Sequence, residues 1–283
     1  METSPLTPPR ETFPQLRSKP TFDKRFDLRS FGEPLKALRA VPIRDAGEPL
    51  VDLREFCPHV LLRPGCLPFL RETVANMVNE VQARMPEGHT LALGTALRTL
   101  TMQRGIREGF TKDMTEKHPD WSKATMARML NRMVAPPDDP SPPPHTTGGA
   151  LDVGVHGPNG EGLDFTSPIE GWDSAPTYYH KLSEQARANR LMLIGLMEGV
   201  GLTNYVGEWW HWSYGDQGWA LRVGSPVAYY GAVEVEDAEN QRIPKPPEEP
   251  TPVPALATRR ASDDPSLSAK GEENESAAQP SLT

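Results

Sequence analysis

Two short stretches of this chain hold side chains whose types and spacing suit chemistry. Gly207-Glu208-Trp209-Trp210-His211-Trp212 sets a carboxylate and an imidazole three residues apart inside an aromatic cluster. Upstream, His145-Thr146-Thr147-Gly148-Gly149-Ala150-Leu151-Asp152 sets a second imidazole and a second carboxylate seven apart. Imidazole nitrogen and carboxylate oxygen suit zinc, and a catalytic zinc takes three protein ligands and leaves a fourth position for water. His145, Asp152 and His211 are the candidate ligands of one zinc per chain. Glu208 is the carboxylate left over, near enough to stand beside that water and take its proton. This is a hydrolase's division of labour.

The spacing constrains the elements that must carry these groups. In an extended strand residues three or seven apart face opposite ways, so neither pair fits one uninterrupted strand. Gly148 and Gly149 can bend the chain between His145 and Asp152, and Gly207 can hold Glu208 in a turn before a Trp-rich strand carrying His211. Leu151 to Val155 reads as a central strand, followed by a hairpin turn at Gly157 to Gly162. The proline-rich run Pro136 to Pro144 reads as a stiff extended connector that delivers His145.

Further elements follow from apolar period. Leu67, Leu70, Val74, Met77, Val78, Val81 and Met85 fall at helical spacing and predict a core-facing helix within Cys66 to Met85. Thr90 to Leu93 reads as a short buried strand. Helical character runs through Thr99 to Lys117 and resumes after Ser122, an expected N-cap, through Met126, Met129, Leu130 and Met133, with the methionines expected as core filler. Leu182 to Val200 predicts another amphipathic helix, and Val227 to Val235 an edge strand or closing segment. Leu50-Val51-Asp52-Leu53 fits an edge strand or a wrapping arm.

The 283-residue chain carries a formal net charge of -8 and no basic patch, which argues against a nucleic-acid partner. No apolar run is long enough to span a bilayer, so no membrane partner is expected. Residues 1–20 lack the apolar core of a secretory signal, which leaves the cytoplasm as the expected location. Cys57 and Cys66 are the two cysteines, and in that compartment they read as thiols rather than a disulfide. The expected organisation is a disordered tail at 1–20, one domain at 21–236, and a disordered tail at 237–283, rich in Pro, Glu, Ser, Ala and Lys.

His145 to Asp152 resembles the H-x6-D signature, and Glu208 to His211 the E-x-W-H signature, of the zinc D-alanyl-D-alanine dipeptidases, to which the vancomycin-resistance dipeptidases belong. The likeness covers roughly Asp52 to Val233, and the double Trp before His211 looks more like these dipeptidases than the related D,D-carboxypeptidases. It implies an α+β domain, an antiparallel sheet packed by helices with the zinc site on the sheet, that hydrolyses a small peptide substrate, D-alanyl-D-alanine. The family has an arginine after the strand that Thr90 to Leu93 matches, and Arg98 resembles it. A guanidinium fork beside zinc would stabilise the oxyanion of the transition state, a role worth about 10²–10³ in rate for one donor. The alternative is a solvated arginine at a helix start. Ile169-Glu170 resembles loosely the family's Phe-Asp pair, whose carboxylate is implicated in holding the substrate's free amino group; a surface glutamate is the alternative. One departure is Pro143, where the family commonly has Ser, so any hydroxyl contact to substrate there is lost. Two other readings remain open: a peptidoglycan D,D-carboxypeptidase or endopeptidase using the same site, and a noncatalytic zinc-binding interaction module. Aromatic Trp209, Trp210 and Trp212 are expected as core and pocket wall rather than as a saccharide platform.

Overall fold

Leu151, Val153 and Val155 alternate with Asp152, Gly154 and His156 along β5 (Ala150–His156), the first set buried and the second half-buried. Period two thus gives this strand one face for the core and one that can work. The structure, a computed structural model, describes residues 32–244. Within it β5 is the middle of a five-stranded sheet with β2 (Leu61–Leu62), β4 (Thr90–Thr95), β7 (His211–Ser213) and β6 (Thr203–Asn204), in the order β2-β4-β5-β7-β6. All neighbours are antiparallel except the edge pair β2 and β4.

The core lies against the apolar face of this sheet. Helix α3 (Glu72–Ala83) buries Val74, Ala75, Val78 and Val81, which share one side at a period of 3.6, while Leu193, Ile194 and Met197 come from α6 (Glu184–Glu198). Ser183 caps α6, its hydroxyl accepting from Ala186 N–H at 3.0 Å. Helices α4 (Leu100–Lys117) and α5 (Lys123–Met133) form a hairpin, capped by Thr99 and Ser122 as helix-start chemistry predicts. Helices and an almost wholly antiparallel sheet share one core, the α+β architecture expected.

Some elements depart from the apolar pattern. Leu67 and Leu70 are buried at helical spacing, yet Phe69–Arg71 is strand β3, paired with β1 (Leu50–Asp52), and the helix starts only at Glu72. Pro68 holds its neighbourhood extended, and its carbonyl accepts from Leu53 N–H, which starts the short helix α2 (Leu53–Phe56). The methionines of α5 are half-buried rather than core, and Met133 lines the cavity described below. Val227 to Val235 forms no strand; it closes the domain through a bridge from Ala228 to Ile43 and a bond from Val233 N–H to Thr146 C=O at 2.8 Å.

The ordered chain also runs past the expected boundary at 236. Ile243 exchanges backbone hydrogen bonds with Gly65 and Cys66 at 2.8 and 2.9 Å and packs on the core, because Cys66 and Gly65 offer unpaired backbone groups beside apolar surface. The expected tail at 1–20 and the rest of the expected tail, 245–283, lie outside the described residues. Cys57 and Cys66 are both buried free thiols, and burial pushes them up to about 12 and about 11. No described helix is long and apolar enough to cross a membrane.

Candidate functional site

Three segments bring the metal-ligand candidates together. Asp152 stands on the working face of β5, and its direct cross-strand partner is His211, the first residue of β7. His145 comes from a 3-10 turn, Pro144–Thr147, at the end of the proline-rich connector. Gly148 follows at φ 71°, a left-handed conformation that glycine adopts without strain, and reverses the chain into β5. Gly149 packs so tightly that a Cβ there would lie 2.5 Å from the Tyr214 carbonyl oxygen. Both glycines are needed, the first for its dihedral and the second for close approach.

His145 Nε2 lies 3.1 Å from Asp152 Oδ1, and His211 Nδ1 lies 3.0 Å from the same oxygen and 3.1 Å from His145 Nε2. A tetrahedral ion with ligand bonds of about 2.0–2.1 Å needs donors about 3.3 Å apart, so this donor set fits zinc in both chemistry and size. His145 Nδ1 is 2.9 Å from the Ala96 carbonyl, which can only accept. Nδ1 therefore keeps its proton, and loss of the Nε2 proton to a metal would leave the Nε2 lone pair facing Asp152 and His211.

Electrostatics separate the acidic groups. Burial opposes ionisation of Asp152, but the charges and hydrogen bonds of His145 and His211 outweigh it and hold the carboxyl well below the usual range. Glu208 behaves the other way: burial, with Asp152 adding, pushes it up to about 7 against the pull of His211 and Arg98. Burial lowers His145, whereas for His211 the hydrogen bond and charge of Asp152 overcome burial and raise it. The turn carrying Glu208 is closed by Glu208 N–H to Tyr205 C=O at 2.9 Å and His211 N–H to Glu208 C=O at 3.1 Å.

Arg98 reaches the same centre. The register of β4 against β5 shifts between Leu93 and Thr95, a bulge that turns the strand exit toward the site. Arg98 Nη2 then lies 3.9 Å from Asp152 Oδ2, and Nη1 donates to Gln103 Oε1 at 2.8 Å. Gln103 is itself buried and donates to Ala135 C=O at 2.7 Å, which fixes the guanidinium plane. Burial lowers Arg98, while Asp152 and Glu208 favour its charge.

All five groups line one cavity of about 260 Å³, smaller than the about 300–1,000 Å³ of sites that take drug-sized ligands. One part of its wall is aromatic and apolar, with Trp210, Tyr205, Phe110, Ile106 and Trp172, and another is polar, with Glu33, Asp216 and Arg222. Trp210 and Trp172 meet edge to face at 5.8 Å, and Trp209 stacks on Phe165 at 4.4 Å, while Trp212 is fully buried. Glu170 is exposed and does not line the cavity; its loop contributes Trp172 instead. Pro143 lines the cavity with no hydroxyl to offer.

Two contributors escaped sequence reasoning. Glu33, Leu35 and Leu38 form part of the cavity wall although they precede the core elements by many residues, and nothing in their local pattern marks them. Arg190 did leave a signal, a cation within the apolar stripe Ala186, Leu193 and Met197. It is 1 % exposed and donates to the carbonyls of Phe165 (2.7 Å), Thr177 (3.0 Å) and Ser174 (2.6 Å), beside the Trp209 ring. It thereby holds the loop that brings Trp172 to the cavity, and burial draws the guanidinium down to about 9.

A family model described as D-ala-D-ala dipeptidase, Peptidase M15, matches residues 74–229, more than half of the chain. A D-alanyl-D-alanine dipeptidase of Synechocystis sp. is 27% identical over 246 residues, covering 72% of this chain and 100% of that protein. Among solved structures, a vancomycin resistance D,D-pentapeptidase VanY in complex with Zn(II) is 16% identical, covers 63% of this chain and 87% of its own, and aligns with a TM-score of 0.36. With ligand-type donors, a buried carboxylate and a guanidinium gathered in the matched segment, the chain belongs to the D-Ala-D-Ala dipeptidase family of metallopeptidases.

Proposed function

We propose that this protein hydrolyses the dipeptide D-alanyl-D-alanine, using one zinc ion per chain held by His145 Nε2, Asp152 Oδ1 and His211 Nδ1. The observation that carries the reading is the meeting of those three atoms at 3.0 to 3.1 Å from one another in a small cavity that Glu208 and Arg98 also line. Family membership supports the substrate, as does the modest size of the cavity.

When bound, the metal supplies Lewis acidity that activates water and polarises the peptide carbonyl. Asp152 is ionised and His145 Nδ1 is anchored on the Ala96 carbonyl, so the ligand atoms already face one another and the two imidazoles have only to give up the protons they share with Asp152. Glu208 accepts the proton of the attacking water on its carboxylate and returns it to the departing amine nitrogen, a shuttle suited to a group pushed up to about 7. Arg98, its plane fixed by Gln103, presents a guanidinium N–H to the oxygen that gains charge as the carbonyl is attacked. Trp210, Trp172 and Phe110 exclude water around these groups and strengthen each electrostatic contact.

The test is an assay of the purified zinc form on free D-alanyl-D-alanine beside its N-acylated form. Turnover of the free dipeptide with rejection of the acylated one is expected. Equal turnover of both would assign a carboxypeptidase, and turnover of neither, with zinc bound, a noncatalytic module.

A further inference from the structure

The cavity has one wall that owes its place to charge rather than to apolar burial. Residues 32–40 run across the site as a strap ending in the short helix α1 (Leu35–Ala40), which has no buried residue and, at this length, no stability of its own. Its inner side nevertheless supplies Glu33, Leu35 and Leu38 to the cavity that holds His145, Asp152, Glu208 and His211.

Two ion pairs pin the strap. Glu33 Oε1 meets Arg222 Nη1 at 2.9 Å, with both side chains mostly shielded, and Arg222 is braced by Thr203 Oγ1 at 2.8 Å and Ser213 Oγ at 2.6 Å. At the other end Arg39 Nε donates to Asp139 Oδ1 at 3.0 Å, and its Nη2 reaches Asp139 Oδ2, a bidentate fork. Asp139 lies on the connector that delivers His145, and its Oδ1 also accepts from Ser141 N–H at 2.9 Å. Gly32 lies flat against the Tyr205 ring, where a Cβ would come within 2.0 Å of a ring carbon. Both anchors thus belong to the frame of the site itself, while the strap precedes the segment matched by the family model.

Among the carboxylates that line the cavity, Asp216 alone keeps an oxygen open for a free amino group, and one open oxygen does not by itself bar an acylated one. Asp152 and Glu208 are taken by the reaction and Glu33 is paired with Arg222, whereas Asp216 caps α7 (Gln217–Val223) through Oδ1, which accepts from Trp219 N–H at 2.6 Å, and keeps a buried Oδ2 with no hydrogen-bond partner among the described residues. Glu170 does not reach the cavity. We infer that the strap at 32–40, pinned by Glu33–Arg222 and Arg39–Asp139, is the length filter of this enzyme. It confines the substrate to a free dipeptide by closing the cleft where an acyl group or a longer peptide would extend. The inference rests on the dipeptidase reading and names what enforces it.

The experiment uses the full-length zinc enzyme and two peptides, D-alanyl-D-alanine and N-acetyl-D-alanyl-D-alanine, with hydrogen exchange of residues 33–40 followed alongside. In the Glu33→Arg/Arg39→Glu double variant both pins become repulsive. The strap amides should then exchange faster, and the ratio of kcat/KM for the free over the acetylated dipeptide should fall at least about tenfold through gained turnover of the acetylated one. Arg39→Glu alone, at a half-exposed position, should fold normally and shift the ratio the same way by less. The charge swap Arg39→Asp/Asp139→Arg should restore the wild-type ratio. Faster exchange with an unchanged ratio overturns the filter, and unchanged exchange in the double variant overturns the pins. Failure of the dipeptidase reading looks different: the wild type would then turn over neither peptide, or both equally.

Discussion

Asp152 and His211 are direct cross-strand partners, and their side chains meet at 3.0 Å between Asp152 Oδ1 and His211 Nδ1. A regular antiparallel pair thus supplies two of the three proposed metal ligands from backbone register alone, and only His145 needs a special turn. Register is the most strongly specified feature of a strand with one buried face, since a slip by one residue would turn Asp152 into the core.

Zinc should therefore bind at one ion per chain, and the His145→Ala/His211→Ala variant should carry none. Elemental analysis of the purified proteins checks this, and stoichiometric zinc surviving in the double variant would move the site elsewhere. Chelation should also lower the melting temperature of the wild type and leave that of the variant unchanged, because only the wild type gains folding free energy from the ion.

Glu208→Gln should retain zinc and fold but lose about 10²-fold or more in kcat, since the amide keeps shape and removes the proton acceptor. Arg98→Ala should lower kcat more than it raises KM, as befits a contact strengthened in the transition state. Steady-state kinetics on D-alanyl-D-alanine decide both. An effect on KM alone would leave Arg98 as a ground-state binding residue.

The metal-free protein should show a pH signature of Glu208. Burial first, then Asp152, raise its carboxyl from an ordinary value near 4.5 to about 7, so the folded state holds this proton more tightly than the unfolded state does. The stabilisation is fully present below about 4.5 and is lost as pH rises through about 7. Glu208→Gln cannot ionise. Between pH 5 and pH 8 the chelated variant should gain on chelated wild type by roughly 5 °C in melting temperature. An equal gap at both pH values would show that Glu208 titrates normally in the folded protein.

Arg190→Met should be among the costly single changes outside the site. It leaves the buried carbonyls of Phe165, Ser174 and Thr177 without their donor, at a cost of about 3 kcal/mol or more, or roughly 6–12 °C in melting temperature. Since the loop they belong to carries Trp172, KM should rise as well. A variant with wild-type melting and KM would remove Arg190 from this role.

The two possible C-terminal cuts should differ. Removing 245–283 should leave melting and activity nearly unchanged, because that composition has little apolar surface to offset ordering entropy. Removing 237–283 also takes Ile243 off the core and should lower melting by a few degrees. Equal melting of both truncations would mean that Ile243 contributes nothing measurable.

Much of this site was legible in the chain because its chemistry depends on residue type and local spacing. His145, Asp152, Glu208 and His211 occur in two motifs whose glycines announce where the backbone must bend, and Leu151 to Val155 read as the central strand that the structure shows carrying Asp152 on the face away from the core. The helix start at Ser122 was local as well, since a cap is made within three residues, and Thr99 and Ser183 cap their helices in the same way. Tertiary structure alone decided what depended on distant partners. Pro68 and the pairing with β1 turned Phe69–Arg71 from helix into strand, against its apolar spacing. Glu170 and Trp172 share a loop, and only the packing of that loop on Arg190 determined that the tryptophan and not the glutamate faces the cavity. The strap at 32–40 could not be read locally, because its ion-pair partners Asp139 and Arg222 lie 100 and 189 positions away and its function consists in where they hold it.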